Sequence, residues 1–157
     1  MREKPKVLMI DDNKNMCETL ADILEEKGYE IVTAKTALEG IQAAQKSFFN
    51  IALIDINLPD KTGIELLKGF KNTYPSRINI IITASATLKY AVDAVNLGAD
   101  AYILKPIDFI KLDQTMKECL RKQQKTLKAT EERLTEFMTS ATEERTSASK
   151  ITGQKCV

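Results

Sequence analysis

Five side chains of this sequence have the types and spacing of a reactive cluster: Asp11, Asp12, Asp55, Thr83 and Lys105. Each follows or closes a short apolar run, namely Val7–Ile10, Ile51–Ile54, Ile78–Ile82 and Ala101–Leu104. If those runs are strands of one parallel sheet, their carboxyl ends share a rim. Three carboxylates, a hydroxyl and an ammonium then meet in one small pocket. Packed carboxylates repel unless a cation sits among them. An oxygen-only donor set favours a hard ion, Mg²⁺ before Zn²⁺. A carboxylate beside Mg²⁺ and a lysine can attack phosphorus and become an aspartyl phosphate. The cations offset the charge of the transferring group, and a hydroxyl can hold one of its oxygens. A single Asp at a strand end is commonly a cap or a solvated turn residue; the coincidence of five at four strand ends carries the reading.

The composition narrows the alternatives. The 157 residues include no histidine, which removes Ser-His-Asp and Cys-His triads, His-containing zinc sites and any phosphohistidine carrier role. The three cysteines, Cys17, Cys119 and Cys156, are far apart and form no C-x-x-C pair, so they read as reduced thiols. Lys plus Arg total 23 against 22 for Asp plus Glu, a net charge of +1 that disfavours a nucleic-acid binder. No apolar run approaches the ~20 residues of a membrane span, and the four residues after the charged start are too few for a signal peptide; a cytoplasmic location is expected. Neither a G-x-x-x-x-G-K-[ST] loop nor a G-x-G-x-x-G fingerprint follows the first strand.

Helical stripes separate the strands. Met16, Leu20, Ile23 and Leu24 form one, stopped by Gly28; Ala37, Leu38, Ile41 and Ala44 form another. Leu66, Leu67 and Phe70 mark a third, Leu88–Leu97 a fourth stopped by Gly98, and a last helix starts near Asp108. Tyr29–Ala34 supplies the remaining strand. Continuously apolar strands mean that both sheet faces are covered. The expected class is α/β with a doubly wound parallel sheet, whose ligands bind beyond the carboxyl ends of the strands.

From Asp113 on, the pattern changes. Met116, Leu120, Gln123, Leu127, Thr130, Leu134, Phe137 and Ala141 recur at 4-3 spacing, a moderate coiled-coil signal. The expected organisation is a domain over 1–124 and a helical or coiled-coil tail over 125–157, frayed or disordered after about 141. Self-association of that tail, most simply as a dimer, competes with a linker that is helical only when joined to an output domain.

The segments Val7-Leu8-Met9-Ile10-Asp11-Asp12, Asp55-Ile56-Asn57-Leu58-Pro59-Asp60-Lys61-Thr62-Gly63, Ile81-Ile82-Thr83-Ala84 and Gly98-Ala99-Asp100-Ala101-Tyr102-Ile103-Leu104-Lys105-Pro106 resemble the receiver domain of two-component response regulators over about residues 5–125. The resemblance implies a five-stranded sheet of order 2-1-3-4-5. It implies that Asp55 accepts a phosphoryl group from the phosphohistidine of a histidine kinase or phosphotransfer protein. Asp11, Asp12, Asp55 and the backbone carbonyl of Asn57 would hold Mg²⁺. Lys105 would pair with the phosphoryl group, and Thr83 would bond to it on activation. Tyr102 matches a switch aromatic, equally readable as a half-buried strand residue. The bond before Pro106 is typically cis in that family, while Pro59 and Gly63 read as turn residues.

On this resemblance the chain is a phosphorylation switch that changes the affinity of its fourth-helix and fifth-helix face for a downstream protein. It promotes its own phosphorylation and slow dephosphorylation without being a conventional enzyme. The alternatives are a structural or dimerisation module with an idle pocket, or the receiver fragment of a longer transcriptional regulator. An aspartyl-phosphate hydrolase needs a second acid/base two residues after the nucleophile; that position is Asn57, and Ser85 stands two after Thr83, so neither favours rapid turnover.

Overall fold

The structure is a computed structural model that describes residues 3–155 other than position 86, with side chains described as far as Thr142. Cys156 lies outside the described residues. Strands and helices alternate: β1 (Lys6–Ile10), α1 (Lys14–Glu26), β2 (Glu30–Ala34), α2 (Ala37–Lys46), β3 (Ile51–Ile54), α3 (Gly63–Thr73), β4 (Ile78–Thr83), α4 (Leu88–Asn96), β5 (Ala101–Leu104) and α5 (Phe109–Lys155). All neighbouring strands are parallel and the sheet order is β2-β1-β3-β4-β5.

The burial pattern explains the strand composition. Every residue of β3 and β4 is buried, and β1 is buried from Val7 onward, because helices cover both faces at the centre of the sheet. The edge strands β2 and β5 are partly exposed, and they carry the mixed sequences Glu-Ile-Val-Thr-Ala and Ala-Tyr-Ile-Leu. Alternation along each central strand separates two cores. Leu8, Ile10, Ala52, Ile54 and Ile81 join Leu67 and Phe70 of α3 and Ala94 of α4 on one face. Val7, Met9, Leu53, Ile80 and Ile82 meet Leu20 and Leu24 of α1 and Leu112 and Met116 of α5 on the other.

Local chemistry sets the helix limits. Asn13, Thr36 and Thr62 each accept an N–H from three residues on, capping α1, α2 and α3. Gly28 and Gly98 take positive φ, +96° and +80°, where α1 and α4 give way to the following strands.

The chain divides into two compact units, one ending at Leu120 and one starting at Arg121. Met116 belongs to the first: it is fully buried in the core beside Leu112 and Leu120, so it does not open a tail seam as its 4-3 spacing suggests. A helix's apolar spacing is the same whether its stripe meets a sheet or another helix, so Met116 could not be assigned from spacing alone. In the second unit, Leu127, Leu134, Phe137 and Met138 are exposed. Thr126, Thr130, Thr135 and Thr142 each donate their hydroxyl to the carbonyl four residues earlier, at 2.9–3.0 Å. Among the described residues no helix is long and apolar enough to cross a membrane.

Candidate functional site

Parallel pairing fixes the rim. Ile10 and Ile54 are register partners at the ends of β1 and β3, so Asp11 and Asp55 emerge side by side. The Asp55 N–H donates to the Ile10 carbonyl at 3.0 Å, and the Asp11 N–H to the Ala34 carbonyl at 3.0 Å. Thr83 and Leu104 are partners at the ends of β4 and β5, which delivers Lys105 from the other side. The Lys105–Pro106 peptide bond is cis.

Lys105 Nζ bridges two acids, donating to Asp11 Oδ2 at 2.7 Å and to Asp55 Oδ2 at 3.0 Å. Asp11 and Asp55 are buried, at 2% and 6% exposure, and Asp12 is exposed. The remaining carboxylate oxygens are held by backbone: Asn13 N–H donates to Asp11 Oδ1 at 2.9 Å and Asn57 N–H to Asp55 Oδ1 at 3.1 Å. The cluster thus sets three carboxylates against one ammonium, which bonds Asp11 and Asp55, leaving an excess of two negative charges. Burial raises the pKa of Asp55 above the usual carboxylate range despite the hydrogen bonds from Lys105 and Asn57. Burial also works against the charge on Lys105, but its bonds to Asp11 and Asp55 outweigh that and raise its pKa.

The donor set fits a hard divalent cation. Carboxylate oxygens of Asp11, Asp12 and Asp55 lie within 4.8 Å of one another. That is close to the span of about 4.2 Å between opposite ligands of octahedral Mg²⁺. A divalent charge would also match the excess of negative charge.

Thr83 and Tyr102 join the site through the loop after β4. The Ser85 N–H donates to Thr83 Oγ1 at 3.1 Å, and the Tyr102 hydroxyl donates to the Ser85 carbonyl at 3.0 Å. Asn57 Nδ2 donates to Ser85 Oγ at 2.9 Å, which ties the β3–α3 loop to the β4–α4 loop. The structure therefore brings Asp11, Asp12, Asp55 and Lys105 into one cluster. It sets Thr83, Tyr102 and Asn57 around it, linked by Ser85.

Three further residues support the cluster. Gly63 opens α3 directly under the β3 end: a Cβ there would lie 2.1 Å from the Asp55 carbonyl oxygen, so only glycine permits this approach. Its role is a close backbone contact and not only a turn. Asp60 accepts the N–H groups of Ala37 and Leu38, both at 2.9 Å, so its carboxylate anchors the β3–α3 loop to the start of α2. Those two bonds lower its pKa. Cys17 donates to the Asp11 carbonyl at 3.4 Å, and burial with nearby Asp11 pushes its thiol up to about 11. Nothing in the sequence pattern marks the partners of Asp60 or Cys17, since each contact depends on the assembled fold.

Comparison with known proteins agrees with this geometry. The family model for the response regulator receiver domain matches residues 7–117. The transcriptional regulatory protein ZraR of Klebsiella oxytoca is 35% identical over 118 residues, covering 75% of this chain and 27% of that protein. The chain thus spans about a quarter of the length of that relative. The crystal structure of a CheY-like response regulator receiver domain protein from Methanospirillum hungatei JF-1 superposes with a TM-score of 0.77 at 40% identity, covering 78% of this chain and 98% of that one. The beryllofluoride-activated receiver domain dimer of NtrC4 gives a TM-score of 0.72 at 30% identity, covering 75% and 98%. The parallel sheet of order 2-1-3-4-5, the acidic rim and the matched length lead to one family: the chain belongs to the response regulator receiver domains.

Proposed function

We propose that Asp55 is the phosphoacceptor of a two-component switch and that Asp11, Asp12, Asp55 and the Asn57 carbonyl hold Mg²⁺. The observation that carries this reading is the single ammonium shared by buried Asp11 and Asp55. An Asp55 oxygen attacks the phosphorus of a phosphohistidine on a kinase or phosphotransfer protein. The P–N bond breaks, its electron pair stays on the imidazole, and an aspartyl phosphate forms. Lys105 then has a phosphoryl oxygen to pair with beside Asp11. Bound Mg²⁺ supplies charge neutralisation for the transferring group.

Thr83 carries the response outward. Turning its hydroxyl toward a phosphoryl oxygen breaks the bond from the Ser85 N–H, and Ser85 is also bonded to Tyr102 and Asn57. The β4–α4 loop and Tyr102 move with it. Beyond them the α4 and α5 face exposes Leu88, Val92, Val95 and Ile110, with Leu104 of β5 between, a surface suited to a downstream protein. The exposed apolar residues of the tail suit a second copy of the chain.

The test is incubation with Mg²⁺ and acetyl phosphate, read by intact mass. A single phosphoryl adduct is expected on the wild type and none on Asp55→Ala. An equal adduct on the variant places the phosphoryl group elsewhere and overturns the assignment.

A further inference from the structure

Within residues 121–144 the charges are segregated along the helix. Residues 121–130 carry Arg121, Lys122, Lys125 and Lys128 and no acid. Residues 131–144 carry five glutamates, Glu131, Glu132, Glu136, Glu143 and Glu144, against one base, Arg133. The first block is therefore +4 and the second −4. The exposed apolar side chains, Leu127, Leu134, Phe137 and Met138, sit around the junction of the two blocks. We propose that this segment pairs with a second copy of itself in antiparallel orientation, a refinement that rests on the tail dimer proposed above.

Electrostatics decides the direction. In a parallel pair, in register, the basic block lies along the basic block and the acidic along the acidic. Paired helices lie about 8–10 Å apart. That is comparable to the Debye length of about 8 Å at physiological salt, so those repulsions are felt. Reversing one helix sets each basic block against an acidic one.

One antiparallel register also serves the apolar positions. It places Leu127 opposite Phe137 of the second copy and Leu134 opposite Thr130, and two-fold symmetry repeats both layers. In that register residues 121–130 of one copy lie along residues 134–143 of the other, whose only charges are Glu136 and Glu143. Thr130 fits such a layer because its hydroxyl already donates to the Thr126 carbonyl at 2.9 Å, so burying it leaves no unsatisfied donor.

Disulfide trapping in the full chain reads the orientation. Thr126→Cys and Ser140→Cys are made separately in a Cys119→Ser, Cys156→Ser background, which leaves only buried Cys17. In that register position 126 of one copy lies within a turn of position 140 of the other, on the same flank of the seam. On mild oxidation the mixed variants should form a 126–140 disulfide, and each variant alone should form few dimers. Predominant 126–126 and 140–140 linkage, or no mixed disulfide while sedimentation still shows a dimer, overturns the antiparallel orientation. A monomer by sedimentation with the tail intact overturns the tail dimer itself. Salt gives a second reading on the unmodified chain. Association should weaken between about 50 mM and about 500 mM NaCl for the antiparallel pair, whereas a parallel pair should strengthen as its repulsions are screened.

Discussion

The receiver unit contains two clusters of buried carboxylate, lysine and hydrogen-bond donor, and they behave oppositely. Asp113 accepts the Tyr29 hydroxyl at 3.1 Å and Lys117 Nζ at 2.9 Å, with Lys27 Nζ at 3.7 Å. Burial raises its pKa, but those partners win and hold it below the usual carboxylate value. Asp55 has one lysine, shared with Asp11, and burial wins there. A carboxylate surrounded by its own cations has nothing left to bind and fastens α5 to the α1–β2 turn. A carboxylate short of positive charge is a receptor for more of it. The ratio of cations to carboxylates, more than burial, separates a structural cluster from a reactive one.

The largest effect is expected at Lys105. Lys105→Ala should leave the sheet folded and remove the response to phosphorylation, because no cation then ties the phosphoryl group to the end of β5. Hydrogen exchange of the β4–α4 loop should change on acetyl phosphate treatment in the wild type and not in the variant; a retained change would show that Lys105 is dispensable. Lys117→Ala, at the satisfied cluster, should leave that response intact.

Next is the cation itself. Asp12→Asn removes a full charge from an all-oxygen site and should weaken Mg²⁺ binding by about tenfold or more. Asp113→Asn should leave the affinity unchanged. Equal titration curves for the wild type and Asp12→Asn would remove Asp12 from the metal site.

The satisfied cluster should respond in stability instead. Tyr29→Phe deletes a buried hydrogen bond to a charged acceptor and should cost about 1.5 kcal/mol at neutral pH in denaturant unfolding. Folding raises the Tyr29 pKa, so this contribution is complete below the unfolded value of about 10 and is lost as pH rises through the higher folded one. Folding lowers the Asp113 pKa, so its contribution is present above the unfolded value of about 3.9 and is lost as pH falls through the lower folded one. Wild type and variant should therefore converge in strong base. A constant gap across that range would mean that the hydroxyl is not bonded to Asp113.

The smallest effect should be at Asp60. Asp60→Ala frees the β3–α3 loop from α2 and should lower the thermal midpoint slightly. It should also shrink the rise that Mg²⁺ produces, since the loop carries Asn57. A Mg²⁺-induced rise equal to that of the wild type would make the anchor purely structural.

The contrast between the clusters also shows what the sequence exposes. Ile51-Ala52-Leu53-Ile54 and Ile78–Ile82 declare buried strands because nothing but a two-sided core tolerates such runs. Asp11, Asp55 and Lys105 were legible for the same reason: each sits one residue past a strand end, and parallel register does the rest. Tyr29 and Asp113 are 84 positions apart, on a turn and a helix with no shared pattern, so their bond was not. The Asp60 carboxylate binds backbone N–H groups and Ser85 offers its own backbone carbonyl, and backbone groups, which every residue possesses, are revealed by no spacing. Met116 misleads in the other direction, since its stripe continues into a tail whose own apolar positions keep the same phase.

Gly63 has a consequence for mutational scanning. A side chain of any size there would run into the backbone of Asp55, so every substitution must displace α3 or the end of β3. In a saturation library selected for signalling, position 63 should be depleted as completely as position 55. The depletion would look like that of a reacting group, although the missing atom is what matters. A library selected only for folded protein would separate the two, since Asp55 variants should return there and Gly63 variants should not.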